Sequence, residues 1–357
     1  MYTVLCDGKV LYAPNLVNSG FLLLNPKITM EMNKSGSMNF VIPPNNGLYN
    51  DVHKLKSIIQ VFDEGEEIFR GRVLHDEKDF YKRKSVYCEG DLAFLLDSVQ
   101  RIYDYSGTLD GLFRQYIDNH NQQVEEEKRF VVGEVTVTDQ NSYVHYSSTQ
   151  YPNTLEEINN KLIGTHGGYI RTRLENGVRY IDYIEDYTHV SQQIIEFGVN
   201  MLDLSEYISA EDVFTVLIPL GAKQDQSESR LTIESVNDGK DYIQNDSAVA
   251  LFGKVWKVQV WDDVTVPSNL LTKGQSFLDN GIQMSVALKM KALDLHLANV
   301  NTERIQLGDY IRVISVPHGL NRLFQCTKIT LDLVNPARSE FEFGVAFTSL
   351  TDFLNGK

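Results

Sequence analysis

Cysteine and proline are scarce in this chain: three Cys and nine Pro in 357 residues. Cys6, Cys88 and Cys326 lie far apart. An odd count at such spacing excludes a disulfide framework or a zinc knuckle as the organising device. Each is expected to be a small apolar strand residue of a protein folded in a reducing cytoplasm. No run approaches the ~18 apolar residues that a bilayer-spanning helix needs. The opening "MYTVLCDGKVLYAPNL" has no basic stretch followed by an apolar one, so no secretory leader is expected. Positive charge is also short, with 33 Lys+Arg against 48 Asp+Glu and a net charge of −15. Specific nucleic-acid binding needs clustered Lys and Arg to neutralise phosphates, and this composition argues against it.

The motifs of common chemistries are missing too. The eight histidines form no H-E-x-x-H or H-x-H, and there is no C-x-x-C, so no metal site is expected. His318 in "VPHGLN" and His166 before Gly167-Gly168 read as turn residues. There is no G-x-S-x-G elbow, and Cys88, beside Glu89-Gly90, has no histidine at a suggestive spacing. No phosphate loop exists; "NKSGSMNF" joins two strands instead of opening a helix. The carboxylates Asp182, Glu185 and Asp186, and the pair Asp262 and Asp263, are expected as solvated strand ends. Neither an enzyme active site nor a cofactor is expected.

What is present is a strand-rich globular sequence, 42% hydrophobic, with 18 Tyr and 17 Phe. In residues 1–100, "KITMEMNKSGSMNFVIPP" alternates Ile28, Met30, Met32 and then Met38, Phe40, Ile42 around Lys34–Gly36, which predicts a hairpin. Pro43-Pro44 stops its second strand. "SIIQVF" and "EIFRGRVL" flank the turn Asp63–Glu67, "YKRKSVYCEG" follows as a strand, and Asp91–Ser98 reads as a short helix. Such a set suggests a small barrel or sandwich.

Residues 101–195 read as a small α+β domain. Thr108 is a plausible N-cap for a helix that buries Leu109, Leu112, Phe113, Tyr116 and Ile117. Thr154 and Glu157 have the spacing of a capping box. Leu155, Ile158, Leu162 and Ile163 supply that helix's apolar face, and Gly164 fits its stop. Asn176-Gly177 is a type I′ signal between strands Tyr169–Leu174 and Val178–Ile184. Residues 196–224 and 284–357 return to β, with "VFTVLIPLGA" a buried strand. "GIQMSVALKMKALDLH" alternates from Ile282 and Met284 to Met290 and Ala292. Residues 225–283 form an α+β insertion whose helix lies behind Pro267 and stops near Gly281. The strand-rich halves echo one another in architecture only.

Segments in this order resemble a known family. "SGSMNFVIPPNNGLYNDVHKLKSIIQVFDEGEEIFRGRVLHDEKDFYKRKSVYCEGDLAFLLDS" is similar to the N-terminal region of siphophage and prophage tail-tip proteins, the tail-associated lysin or "endopeptidase tail" family. "YPNTLEEINNKLIGTHGGYIRTRLENGVRYIDYIEDY", "LGDYIRVISVPHGLN" and "LDLVNPARSEFEFG" look like its middle and closing segments. The resemblance implies a mainly β fold with α+β parts, similar to the baseplate hub of contractile phages: two small β-barrel domains with two smaller α+β domains attached. It further implies a homotrimeric ring at the virion's tail tip, assembled in the bacterial cytoplasm. Its implied partners are the distal tail protein or tube ring, the tape-measure protein and receptor-binding proteins. An acidic surface would let DNA pass such a ring without sticking. Family members often continue into a peptidoglycan-degrading domain. This sequence ends at "TSLTDFLNGK", just after the last hub strand, so the family's hydrolase residues have no positions here.

On this reading the contact residues are expected on barrel loops: Lys34, Ser35, Gly36 and Ser37; Asp63, Glu64, Gly65 and Glu66; His318, Gly319, Leu320 and Asn321. Two other functions remain open: a cell-wall hydrolase, and a host-carbohydrate-binding module using Trp256, Trp261 and the Tyr103/Tyr105 pair.

Overall fold

Period-2 alternation converts into strands along most of the chain. The computed structural model describes residues 2–16, 19–139, 143–211, 213–224, 229–262, 264–281, 285–298 and 302–344. Strands β1 (Tyr2–Cys6) and β2 (Lys9–Tyr12) turn on Asp7-Gly8, both at positive φ. Strands β3 (Leu24–Glu31) and β4 (Ser37–Ile42) form the expected hairpin, with Ile28 opposite Met38 and Met38, Phe40 and Ile42 all buried. Strands β5 (Ile58–Asp63) and β6 (Glu66–Lys78) are joined through Glu64 and Gly65, at φ 50° and 92°, the conformation a two-residue hairpin loop demands. Strand β7 (Lys84–Gly90) runs into a 3₁₀ helix, Asp91–Asp97, which buries Leu92, Ala93, Phe94 and Leu95.

The next region packs around helix α1 (Leu109–Asn121), whose apolar face is buried as expected. Its N-cap is Thr108, whose Oγ1 accepts from the Gly111 N–H at 3.1 Å. Strand β8 (Tyr103–Gly107) precedes it; β9 (Val131–Val135) and β10 (Val144–Ser148) follow, and β10 pairs with β8. The second helix begins as α2 (Thr154–Glu157), passes through a π-helical stretch, Ile158–Ile163, and ends as α3 (Gly164–His166).

Two expectations need correction here. The cap is Asn153, whose side chain accepts from the Glu156 N–H at 2.8 Å and donates to the Glu156 carboxylate at 3.0 Å, so the cap lies one residue earlier than the expected Thr154. Thr154 and Glu157 are otherwise engaged: Thr154 Oγ1 contacts Ser98 and Gln100, and Glu157 accepts from Tyr103. The helix also stops at Gly167, φ 73°, and not at Gly164, which is helical. Strands β11 (Tyr169–Glu175) and β12 (Val178–Ile184) then form a hairpin on Asn176-Gly177, both residues at positive φ, and β9 pairs parallel to β12.

Strand β13 (Val190–Glu196) precedes β14 (Met201–Ser209). Strand β15 (Val216–Leu220) is buried as expected. It pairs with β16 (Ile243–Gln244) and β17 (Trp256–Val260) in a separate three-stranded sheet, not with the barrel strands it was grouped with. Helices α4 (Asp246–Phe252) and α5 (Pro267–Gly281) accompany that sheet, whose core includes Leu217, Ile233, Trp261, Leu270 and Leu278. Strand β18 (Ser285–Ala292) buries Met290 and Ala292, while Ile282 and Met284 lie outside the described residues. Strands β19 (Tyr310–Ser315), β20 (Leu320–Asp332) and β21 (Glu340–Gly344) close the description.

The chain divides into two compact units: Met1–Leu204 with Lys289–Phe343, and one built on Ser205–Leu288. In the first, the N- and C-terminal strands form one sheet that curls into a half-barrel. The long strand β20 makes the join. Its first half, Leu320–Gln325, pairs with β19, and Lys328–Asp332 pairs with β3. The path from that join runs β3-β4-β7-β6-β5-β1-β2. The fold is mainly β with α+β parts, as expected.

Candidate assembly surface

The three expected contact loops have different surroundings. The tip of the β3–β4 hairpin presents Lys34 to solvent, ion-paired to Glu31, while Ser35, Gly36 and Ser37 are half-buried. Two neighbours clamp the tip. Gly90 donates its N–H to the Gly36 carbonyl at 3.1 Å. Asn33 donates to the Gly168 carbonyl at 3.0 Å and accepts from the Ile170 N–H at 2.9 Å, tying the tip to β11. In the second loop Asp63 is buried and accepts from Arg304 at 3.2 Å. Glu64, Gly65 and Glu66 are exposed, and Glu66 pairs with the same arginine at 2.9 Å. In the third, His318 ends a 3₁₀ turn, bonded to Ser315 Oγ at 2.6 Å and edge-on to Phe197. Gly319 follows at φ 65°, Leu320 is buried, and Asn321 accepts from Arg312 at 3.1 Å.

Two of these loops meet in one place. Lys34, Ser35 and Gly36, with Gly65 and Glu66, line a cleft of about 880 Å³ in the first unit; His318–Asn321 do not. The cleft wall is cross-braced by ion pairs from distant parts of the chain. Arg179 of β12 reaches Glu67 at 2.7 Å and Asp91 at 3.1 Å, and Thr172 Oγ1 donates to Asp91 at 2.8 Å. Burial pushes the Asp91 carboxyl up, against the pull of Arg179 and Thr172. Burial lowers Arg70, and the neighbouring Arg179 adds to this. On the rim, His189 Nδ1 lies 2.9 Å from Asp309. That bond raises the exposed His189, while burial raises its partner Asp309. The pairs neutralise one another and lock β6, the β11–β12 hairpin and the segment before β19 together.

The strongest such brace was missed. Asp182, expected as a solvated strand end, is fully buried. Its carboxylate accepts from Arg171 Nε and Arg173 Nε at 2.9 Å each, and from the Glu134 N–H at 2.9 Å. Burial alone would raise this carboxyl, but Arg173, the Glu134 N–H and Arg171 together hold it below the usual carboxylate range. The signal was in the sequence. An Asn-Gly loop at 176–177 fixes the register that puts Arg171 opposite Asp182. Glu185 and Asp186 are exposed just past the end of β12, as expected, and Asp186 also accepts from Tyr310 at 2.9 Å and Gln325 at 3.0 Å. Asp262 pairs with Arg230 at 2.5 Å, and Asp263 lies outside the described residues.

The aromatic set suggested for carbohydrate binding does not form a platform. Trp261 belongs to a hydrophobic core, and the Tyr103 hydroxyl lies 2.6 Å from that of Tyr116. Trp256 is exposed. All three cysteines are buried on strands, and burial pushes the Cys6 thiol up to about 12 and Cys88 and Cys326 well up. Among the described residues no cluster of three or more His, Cys, Asp or Glu is arranged to hold a metal ion. Among them, too, no helix is long and apolar enough to cross a membrane.

Comparison with known proteins shows that this fold is shared with prophage tail proteins. The 43 kDa tail protein of prophage MuSo2 from Shewanella oneidensis superposes with a TM-score of 0.64 at 12% identity, covering 98% of this chain and 99% of that one. The tail protein from Neisseria meningitidis MC58 gives 0.64 at 14%, covering 98% of each chain. Prophage tail protein gp18 from Listeria monocytogenes EGD-e gives 0.57 at 15%, covering 93% of this chain and 91% of that one. No curated protein sequence matches the chain. Residues 189–354 match the family model described as prophage endopeptidase tail. The resemblance to prophage tail proteins read from the sequence is borne out.

Proposed function

We propose that the chain is a structural component of a phage tail tip: a trimeric hub that closes the distal end of the tail. In this reading it docks on the distal-tail or tube ring and frames the channel through which DNA leaves. The observation that carries the reading is the shared fold with prophage tail proteins over nearly the full length of both chains. The sheet edges support it. Among the described residues β2 pairs only with β1, and β13 only with β19. Open edges invite pairing with another chain, and a ring closes them without unlimited growth. The unit Met1–Leu204 with Lys289–Phe343 and the unit built on Ser205–Leu288 are then the working parts of the hub. The loops Lys34–Ser37, Asp63–Glu66 and His318–Asn321 are its contact candidates. The distal tail protein, tape-measure protein and receptor-binding proteins are its neighbours in the virion, after assembly in the host cytoplasm.

Light scattering across a concentration series tests the trimer. The expected result is a species near three times 40.6 kDa, alone or after addition of the distal-tail ring protein. A strict monomer under both conditions overturns the hub reading.

A further inference from the structure

At the far end of β6 from the cleft, the β6–β7 hairpin ends in two exposed aromatic rings. Phe80 is 93% exposed and Tyr81 69%, packed edge to face at 5.3 Å. Lys78, Lys82 and Arg83 are exposed beside them, against Glu77 and Asp79, while Lys84 is buried and reaches the Tyr49 carbonyl. The tip is held rigidly. Asp79 and Arg83 exchange backbone and side-chain bonds, including an ion pair at 2.6 Å. The Tyr49 hydroxyl donates to the Lys82 carbonyl at 2.5 Å, and the Arg83 guanidinium lies 5.3 Å from the centre of the Tyr81 ring. A solvated apolar pair on a fixed turn has little folding value. Its rings are already ordered, which lowers the entropy lost on docking.

The opposite end of the same strand carries the complementary chemistry. Arg70, near the start of β6, donates to the Glu127 carbonyl at 2.5 Å and anchors the exposed acidic run Glu125–Glu127. Just beyond lies exposed Val131 at the start of β9, an edge strand of its sheet. From Arg70 to Phe80 the strand rises about 30 Å, at ~3.3 Å per residue. A basic aromatic knob and an acidic, partly apolar face therefore lie at opposite ends of one rigid strand. Within one copy they are about three Debye lengths apart at ~0.1 M salt, too far to satisfy each other.

We propose that the Phe80–Tyr81 tip of one copy docks on the Glu125–Glu127 and Val131 face of a second copy of this chain. Such a contact is head-to-tail, the kind that closes a ring when the rotation per copy divides a full turn. The inference rests on the ring reading and supplies its contact. In a chain of net charge −15, this basic tip offers an attractive pole to the acidic surface of another copy.

Sedimentation equilibrium of three full-length proteins tests it: the wild type, the tip variant Phe80→Ser/Tyr81→Ser, and the acidic-face variant Glu126→Lys/Glu127→Lys. All these side chains are exposed, so unchanged thermal melts should confirm that each variant folds. The wild type is expected to self-associate, more weakly at high salt. Each variant should associate about 30-fold more weakly or worse, the size of an aromatic or charged hot spot. Mixed together, the variants retain one good contact and should form a dimer that grows no further. Variants that assemble like the wild type would overturn this contact and leave the ring reading standing. A wild type that stays monomeric at low salt overturns the contact too; the ring reading is then decided separately by adding the distal-tail ring protein.

Discussion

His120 and Ser98 share a buried 2.7 Å hydrogen bond whose direction is set by a third residue. The other ring nitrogen, Nε2, lies 3.1 Å from the Lys128 carbonyl, which can only accept, so Nε2 carries the proton. Nδ1 therefore accepts from the Ser98 hydroxyl. Thr154, 2.7 Å from Ser98 Oγ, must then donate to it, and Gln100 donates to Thr154 at 2.8 Å. This ordered chain ties the end of α1 to the start of α2 and needs a neutral imidazole.

Acid should therefore weaken the fold through His120. Burial lowers its pKa, outweighing the Lys128 carbonyl and the charge of Asp97. As pH falls below ~6.5 the unfolded chain takes up a proton that the folded chain refuses, and stability drops by up to ~1.4 kcal/mol per pH unit. Urea unfolding of wild type and His120→Gln at pH 7.5 and 5.5 tests this. The variant should lose about 1–3 kcal/mol at pH 7.5 through broken bonds and show a flatter decline below it. An equal decline in both proteins would remove His120 from the acid response.

His189 should behave in the opposite sense. Its bond to Asp309 raises its pKa, so the contact is fully formed below ~6.5 and is lost as pH rises through the folded value. Because the ring is largely exposed, the effect on stability is small and the titration is the better readout. NMR should place the His189 midpoint above the free-histidine range, and Asp309→Asn should return it there. A midpoint that ignores the substitution would rule out Asp309 as the cause.

Two glycines separate crowding from backbone strain. A Cβ on Gly90 would lie 1.8 Å from the Ser35 carbonyl oxygen, although its φ of −72° suits any residue. Gly65 has nothing within 4 Å of its Cβ position but sits at φ 92°. Gly90→Ala should cost about 1–3 kcal/mol or more, because backbone must shift and the β3–β4 tip is displaced. Gly65→Ala should cost about 1 kcal/mol from conformation alone. Gly36 combines both effects, since its φ is 72° and its Cβ would lie 3.0 Å from the Thr29 carbonyl oxygen. Gly36→Val is thus expected to destabilise. Chemical denaturation ranks all three, and a Gly90→Ala protein as stable as wild type would contradict the crowding argument.

These cases mark how far the sequence could be read. Hairpins with their own turn chemistry, such as Asn176-Gly177, were legible to the residue because the loop fixes the register. Helix α1 was legible because its buried face follows a single 3.6-residue period. The second helix was not. Its Thr and Glu have cap spacing, but Ser98 and Tyr103, over fifty residues away, claim both side chains. The join of β3 to β20 spans some three hundred residues, and local alternation carries no information about it. The contact loops were read from turn signals alone. Those signals mark where chain reverses, not whether a distant glycine or arginine then clamps the turn.

Asp182 offers the last test, because its neighbours separate charge from packing. Its carboxylate holds two arginines whose side chains remain about a third exposed, so removing the charge leaves them partly hydrated. Asp182→Asn should then cost about 1–3 kcal/mol at pH 7, less than the ~3–5 kcal/mol of stranding a fully buried partner. The sign with pH is fixed by the lowered carboxyl. Its stabilisation is complete above ~4 and is lost as pH falls through the folded value. Wild type and Asp182→Asn should therefore converge in stability as pH falls through that lowered folded value. Gly133 supplies the packing control. A Cβ there would meet Asp182 Oδ1 at 2.1 Å, so Gly133→Ala should displace the carboxylate while keeping its charge. If both variants loosen β9 against β12, amide exchange of Glu134 should rise in each, since its N–H donates to Asp182. If only Gly133→Ala raises it, shape and not charge holds this sheet together.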